Sequence, residues 1–187
     1  MTFSLKQVKL FAFSFCLVII AFTANAQSGE DLKAQMIKDW ERAKAYTIEY
    51  LNTMPANKYS FKPNDSVRVF AEQMLHLASA NVYYMFSAND ILPPSWLSRE
   101  LQTRVSAQNK DSVMYYVTAS YDFAIKAVQN SDTSKWGEIK KTMAFGGSSA
   151  TRFALMNKAF EHQSHHRGQT TIYIRMLGIK PPQERLF

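Results

Sequence analysis

The chain has 187 residues, 47% of them apolar and 20% charged, which suits one sizeable core and excludes a disordered or fibrous polypeptide. Lys and Arg number 22 against 15 acidic residues, and this surplus of +7 is spread along the chain instead of gathered into a basic cluster. A dedicated nucleic-acid surface is therefore not expected.

Residues 1–26 have the three parts of a secretory signal: Lys6 and Lys9, an apolar run from Leu10 to Phe22, and Ala24-Asn25-Ala26 as a cleavage site. A membrane anchor is the competing reading. Extended to Ala24, however, the run has 15 residues, roughly 22 Å of helix against a hydrocarbon core of roughly 30 Å. Acylation of Cys16 is rejected, because Leu17 to Phe22 continue the apolar run beyond it. The expectation is export to the periplasm or medium, with no membrane attachment after cleavage and a domain over residues 27–187. That domain would carry 20 basic and 15 acidic residues, a charge of +5. It would also lack cysteine, so its stability cannot come from disulfides and its chemistry falls to histidine, carboxylates and hydroxyls.

From Gly29 to Met54, Leu32, Met36, Ile37, Trp40, Ala43, Tyr46, Tyr50 and Leu51 recur at spacings of three and four, which predicts a helix stopped by Met54-Pro55. Residues 55–65 are loop-like, with Tyr59 and Phe61 expected on the core. Asp65 or Ser66 is the predicted N-cap of a second helix running to about Ala88, with Val67, Phe70, Met74, Leu77 and Tyr84 on its apolar face. Pro93-Pro94 marks a connection, and Val105 to Val128 predicts a third helix. Gly146-Gly147-Ser148-Ser149 forms a turn whose serines can cap a fourth, Thr151 to Leu177, closed by Gly178 and Pro181-Pro182. No period-2 strand of useful length is visible. Four long helices predict an all-α protein, an antiparallel four-helix bundle with room for one long crossover.

Three of the four histidines fall on the fourth helix, in Glu161-His162-Gln163-Ser164-His165-His166-Arg167-Gly168-Gln169. His162 and His166 are four residues apart and share a face, with Cβ atoms roughly 5–6 Å from one another, so both imidazoles can reach one ion. His165 lies about 100° from His166 and is the poorer partner, although its pairing with His162 at three-residue spacing is geometrically possible. Such spacing alone more often marks ordinary surface or core histidines. His76, set among Leu75, Leu77 and Ala78, adds weight, because a ring nitrogen there needs a polar partner.

The stretch HQSHHRGQTTIYIRMLG from His162, followed by Ile179-Lys180-Pro181-Pro182, resembles the C-terminal helix of the DinB-like (DinB/YfiT-like) family of metalloenzymes. Met54-Pro55 through Tyr59-Ser60-Phe61-Lys62-Pro63, and Glu72-Gln73-Met74-Leu75-His76-Leu77-Ala78 with Asn81, resemble the family's first loop and second helix. The resemblance implies a four-helix bundle of the DinB/YfiT-like type, often a homodimer, with a divalent metal held by His76, His162 and His166. Zinc or nickel is the first expectation for the ion, with manganese or iron as alternatives; imidazole donors disfavour magnesium and calcium. Some relatives are thiol-dependent transferases and others stress-induced proteins, although export separates this chain from cytosolic thiols.

Around these ligands, Glu72 could orient His76 or reach the ion, against the plainer reading of a solvated glutamate, and Asn81 carries a similar choice. Arg167 and Gln169 suit packing or outer contacts, Gly168 suits a close helix approach, and Tyr83, Tyr84 and Phe86 suit the core. Three functions compete: a metal-dependent hydrolase or transferase of unknown small-molecule substrate, a non-catalytic metal- or ligand-binding stress protein, and a purely structural bundle.

Overall fold

The computed structural model describes residues 28–141 and 147–187. The expected secretory leader and Gly146 of the predicted turn lie outside the described residues. Four helices, α1 (Gly29–Thr53), α2 (Phe70–Asn89), α3 (Lys110–Gln129) and α4 (Arg152–Met176), are accompanied by two three-residue strands, β1 (Ile139–Lys141) and β2 (Ser149–Thr151).

Three of the helices begin where a side chain takes a free amide, and α2 begins where loop carbonyls do, the Phe70 and Ala71 N–H groups donating to Phe61 and Tyr59 at 2.9 Å. Ser28 Oγ accepts from the Asp31 N–H at 3.1 Å while Asp31 accepts from the Ser28 N–H at 3.2 Å, a reciprocal cap. Asn109 accepts from the Ser112 N–H at 2.9 Å to start α3, and Thr151 from the Ala154 N–H at 3.1 Å to start α4. The second helix starts at Phe70, later than expected. Asn64 Oδ1 takes the Ser66 amide at 2.9 Å, a local turn that competes with helix, and Glu72 caps the chain instead by accepting from the Val69 N–H at 3.2 Å. The third helix also starts late, because residues 105–107 form a single tight turn before the Asn109 cap. Thr151, not Ser148 or Ser149, caps α4. Ser149 pairs with Lys141 and Thr151 with Ile139 in an antiparallel ribbon too short to leave a period-2 pattern.

The side-chain contacts fix the direction of every helix. Thr47 meets Tyr121 and Lys33 reaches Ser131, so α1 and α3 run antiparallel. Gln73 meets His166 and Arg152 reaches the Ala88 carbonyl, so α2 and α4 do too. Tyr50 meets Thr171, which sets α1 parallel to α4, and Asn81 meets Ser120, which sets α2 parallel to α3. The bundle therefore runs up, down, down, up. Parallel α2 and α3 require the chain to travel back along the whole bundle between them, and residues 90–109 are that crossover.

Trp40, Leu51, Phe70, Met74, Leu75, Leu77, Met85, Tyr121, Met156 and Ile174 are fully buried at its centre. Tyr59 is buried, its hydroxyl donating to the Leu51 carbonyl at 2.8 Å, and Phe61 packs on the same core, as the sequence led us to expect. At one end Asp90 closes α2 in the left-handed region, with φ 55°. Its carboxylate takes Lys140 at 2.5 Å and Arg152 at 2.7 Å, which ties the end of α2 to the ribbon and to the start of α4.

Candidate metal centre

Antiparallel packing of α2 on α4 brings His76 opposite the two successive turns that carry His162 and His166. One nitrogen from each of the three rings lies within 4.8 Å of the others. His162 Nε2 and His166 Nε2 face each other at 3.1 Å, and the His76 ring stands 5.1 Å and 4.5 Å, centroid to centroid, from those of His162 and His166. A tetrahedral ion bound by nitrogens at 2.0–2.1 Å holds its donors about 3.3 Å apart, close to the separation of the facing pair.

The remaining nitrogens determine which atoms are free. Gln102 Oε1 accepts from His76 Nδ1–H at 3.2 Å, leaving the lone pair on Nε2. Gln73 Nε2 lies 2.8 Å from His166 Nδ1 and also donates to Gln169 Oε1. An ion on His166 Nε2 would put the ring proton on Nδ1, and the Gln73 amide would then have to turn over so that its oxygen, and not its nitrogen, faces that proton. His162 Nδ1 is buried with no hydrogen-bond partner among the described residues. Three rings with inward-facing nitrogens, two of them in contact with glutamine amides, could hold a metal ion.

All three imidazoles are held neutral. Burial pushes His162 down to about 4 and His166 down to about 3, and proximity to the other histidines and to Arg68 adds to both shifts. Burial lowers His76 as well, again assisted by Arg68. Neutral rings are ligands ready for an ion without first losing a proton.

The other singled-out residues take different places. Exposed His165 sets its ring edge-on against that of His166, centroids 4.9 Å apart, but is not one of the three converging rings and meets Gln169 Nε2 at 2.9 Å. Glu72 neither orients His76 nor reaches the rings; besides its capping role, it accepts from Gln108 at 3.4 Å. Asn81 is fully buried and donates to Ser120 at 3.3 Å, so it is neither solvated nor at the centre. Arg167 belongs to the α1–α4 interface, donating to Gln163 at 2.9 Å and standing 4.6 Å above the Tyr46 ring. Gly168 is exposed, and a Cβ there would meet nothing within 4 Å, so it serves no close helix approach among the described residues.

A cleft of about 580 Å³ opens beside His76 and His162, walled by α2 and the crossover. Tyr84 is buried as expected, its ring 5.9 Å from His162, but it also lines this cleft together with half-buried Tyr83 and Phe86. The core assignment for these aromatics was therefore incomplete. Sequence reasoning also missed Gln73 and Gln102. Gln73 lies three residues before His76 on the same helix face, a polar residue in an apolar stripe, and that was a usable signal. Gln102 lies in the crossover, where no periodicity operates.

Solved structures similar to this one include two DinB-like proteins. A DinB-like protein from Bacillus cereus ATCC 10987 superposes with a TM-score of 0.68 at 15% identity, over 80% of this chain and 95% of that one. A DinB-like protein from Bacillus subtilis gives 0.60 at 16% identity, over 82% and 96%. At such identities the likeness concerns the fold. No curated protein matches the chain. The DinB family model matches residues 25–185, almost the whole of the bundle and the stretches that carry all three inward-facing histidines. The chain belongs to the DinB family.

Proposed function

We propose that the protein is an exported metal-dependent hydrolase or transferase acting on a small molecule, with its ion on His76, His162 and His166. The observation that carries this reading is the convergence of three neutral imidazoles beside an open cleft. Three protein ligands leave coordination positions for water or substrate, the arrangement of a catalytic site and not of a closed structural one. A bound ion would supply a nucleophile near neutral pH by acidifying water or a thiol. Zinc or nickel suits the all-imidazole donor set best.

The chain's own groups then have defined tasks. Gln102 and Gln73 orient the rings of His76 and His166, and the cleft holds the substrate's body against the centre. The companion reading, a metal- or ligand-binding protein without turnover, has one specific support: among the described residues no carboxylate hydrogen-bonds the three rings, and none lines the cleft as a general base. Export by residues 1–26 and assembly as a homodimer belong to the same proposal.

Elemental analysis of tag-free protein lacking residues 1–26, purified without chelator, tests the centre. About one equivalent of transition metal in the parent, lost in His76→Ala and His166→Ala, is the expected result. No metal after reconstitution with zinc and with nickel at neutral pH would remove the metalloenzyme reading. Turnover by the loaded protein in a substrate screen separates the enzyme from the binding protein. A phosphatase reporter fused behind residues 1–26 checks export, and sizing by light scattering checks the dimer.

A further inference from the structure

The cleft that opens on the three histidines has one wall of aromatic and aliphatic side chains and a cationic rim. Tyr83 and Phe86 face it from α2, and Pro93 and Leu97 face it from the crossover. Arg99 stands on the same lining, exposed, with no hydrogen bond or ion pair among the described residues. Arg104 donates to the lining Ser98 at 2.8 Å, so a second positive charge stands within hydrogen-bond reach of the lining. No aspartate or glutamate lines the cleft. The nearby Glu161 is occupied by Lys158 at 2.5 Å.

A mainly apolar trough offers few partners to a sugar or another strongly hydrated molecule, most of whose hydroxyls would lose water without replacing it. It suits an aromatic or aliphatic body, and its volume lies within the roughly 300–1,000 Å³ typical of small-ligand sites. A guanidinium presents a planar fork of donors that matches a carboxylate. An unpaired arginine at the rim of an apolar trough therefore selects for an anionic end group and against a cationic one.

We propose that the substrate or ligand is an amphiphilic carboxylate, its aromatic or aliphatic body lying along Tyr83, Phe86, Pro93 and Leu97, its carboxylate on Arg99, and the group to be acted on beside His76 and His162. This assignment deepens the reading of the three histidines as a metal centre and rests on it for the position of the reacting group. Arg99 is the specificity-determining residue, because the apolar wall does not distinguish an acid from its neutral analogue.

The test uses isothermal titration calorimetry with two probes of nearly equal shape, 4-phenylbutanoate and 4-phenylbutanamide, against zinc-loaded and metal-free protein. The acid is expected to bind at least tenfold more tightly than the amide in both forms. Arg99→Gln is expected to remove that preference while leaving metal content unchanged. Arg99 is exposed, so this variant folds, and a thermal melt checks it. Ala80→Phe, which narrows the trough from α2, is expected to weaken both probes tenfold or more.

Acid binding that disappears with the metal and ignores Arg99→Gln would place the carboxylate on the ion and overturn the Arg99 assignment, with the metal reading intact. Equal affinity for acid and amide, or no binding of either probe, would overturn the proposed ligand class. If the protein takes up no metal and still binds the acid through Arg99, the carboxylate site stands and the metal reading fails.

Discussion

Metal affinity should be nearly independent of pH down to about 5.5, and this behaviour separates the buried centre from an ordinary histidine cluster. Three exposed imidazoles titrating near 6.5 would each be neutral about one time in eleven at pH 5.5, so an ion requiring all three would bind roughly 1,000-fold more weakly than at pH 8. Burial holds His162 at about 4 and His166 at about 3, so both remain almost wholly neutral at pH 5.5. His76 is also lowered, so even with no benefit from that shift the loss is bounded by its single factor of about ten. The dissociation constant for zinc should thus rise less than about tenfold between pH 8 and 5.5. Competition against a chromophoric chelator, corrected for the chelator's own protonation, measures it. A loss approaching 1,000-fold, with uptake of close to three protons on metal release, would show that the rings titrate normally and that the description of them as desolvated ligands is wrong.

The same shifts set the acid sensitivity of the metal-free protein. His162 and His166 take up protons near 6.5 when unfolded and only near 4 and 3 when folded. Stability is therefore complete above pH 6.5 and falls on acidification towards the folded values, by about 1.4 kcal/mol per pH unit for each ring. For the two rings this amounts to about 4 kcal/mol at pH 5. Urea melts in chelator at pH 7.5, 6 and 5 should show this loss, and a His162→Gln/His166→Gln double variant should lack most of it. Gln102→Leu removes the acceptor of His76 Nδ1–H. Loss of such an outer contact typically costs 10–100-fold in metal affinity, so zinc binding should weaken by that range with the fold unchanged by circular dichroism. Gly168→Ala places a methyl group in open space inside α4. It should raise stability by about 0.5–1 kcal/mol in a thermal or chemical melt and leave metal content unchanged. A destabilised variant would mean that another surface, such as that of a second copy, sits against this face.

The number of helices, the apolar stripe of α1, the stops at Pro55 and Gly178 and the pairing of His162 with His166 all follow from short-range rules. Helical periodicity and turn chemistry act within a few residues, so they leave a legible trace in the chain. The starts of α2 and α3 were less legible. Asn64 and the turn at 105–107 are local competitors of helix, and which conformation prevails depends on whether Glu72 and Asn109 find the backbone amides they cap.

The contacts that give the centre its chemistry cross from one element to another, and periodicity says nothing about these. His76 could be suspected, but its distance from His162 follows only once α2 lies antiparallel on α4. Gln102 reaches His76 because α2 and α3 run parallel and force residues 90–109 back along the bundle. That same return path lays Pro93, Leu97 and Arg99 opposite Tyr83 and Phe86 and so creates the cleft. A residue's type limits what it can bind, and this much the chain declares. Whether it is desolvated, which nitrogen it leaves free and what stands across from it are properties of packing, settled only when distant segments share one interior.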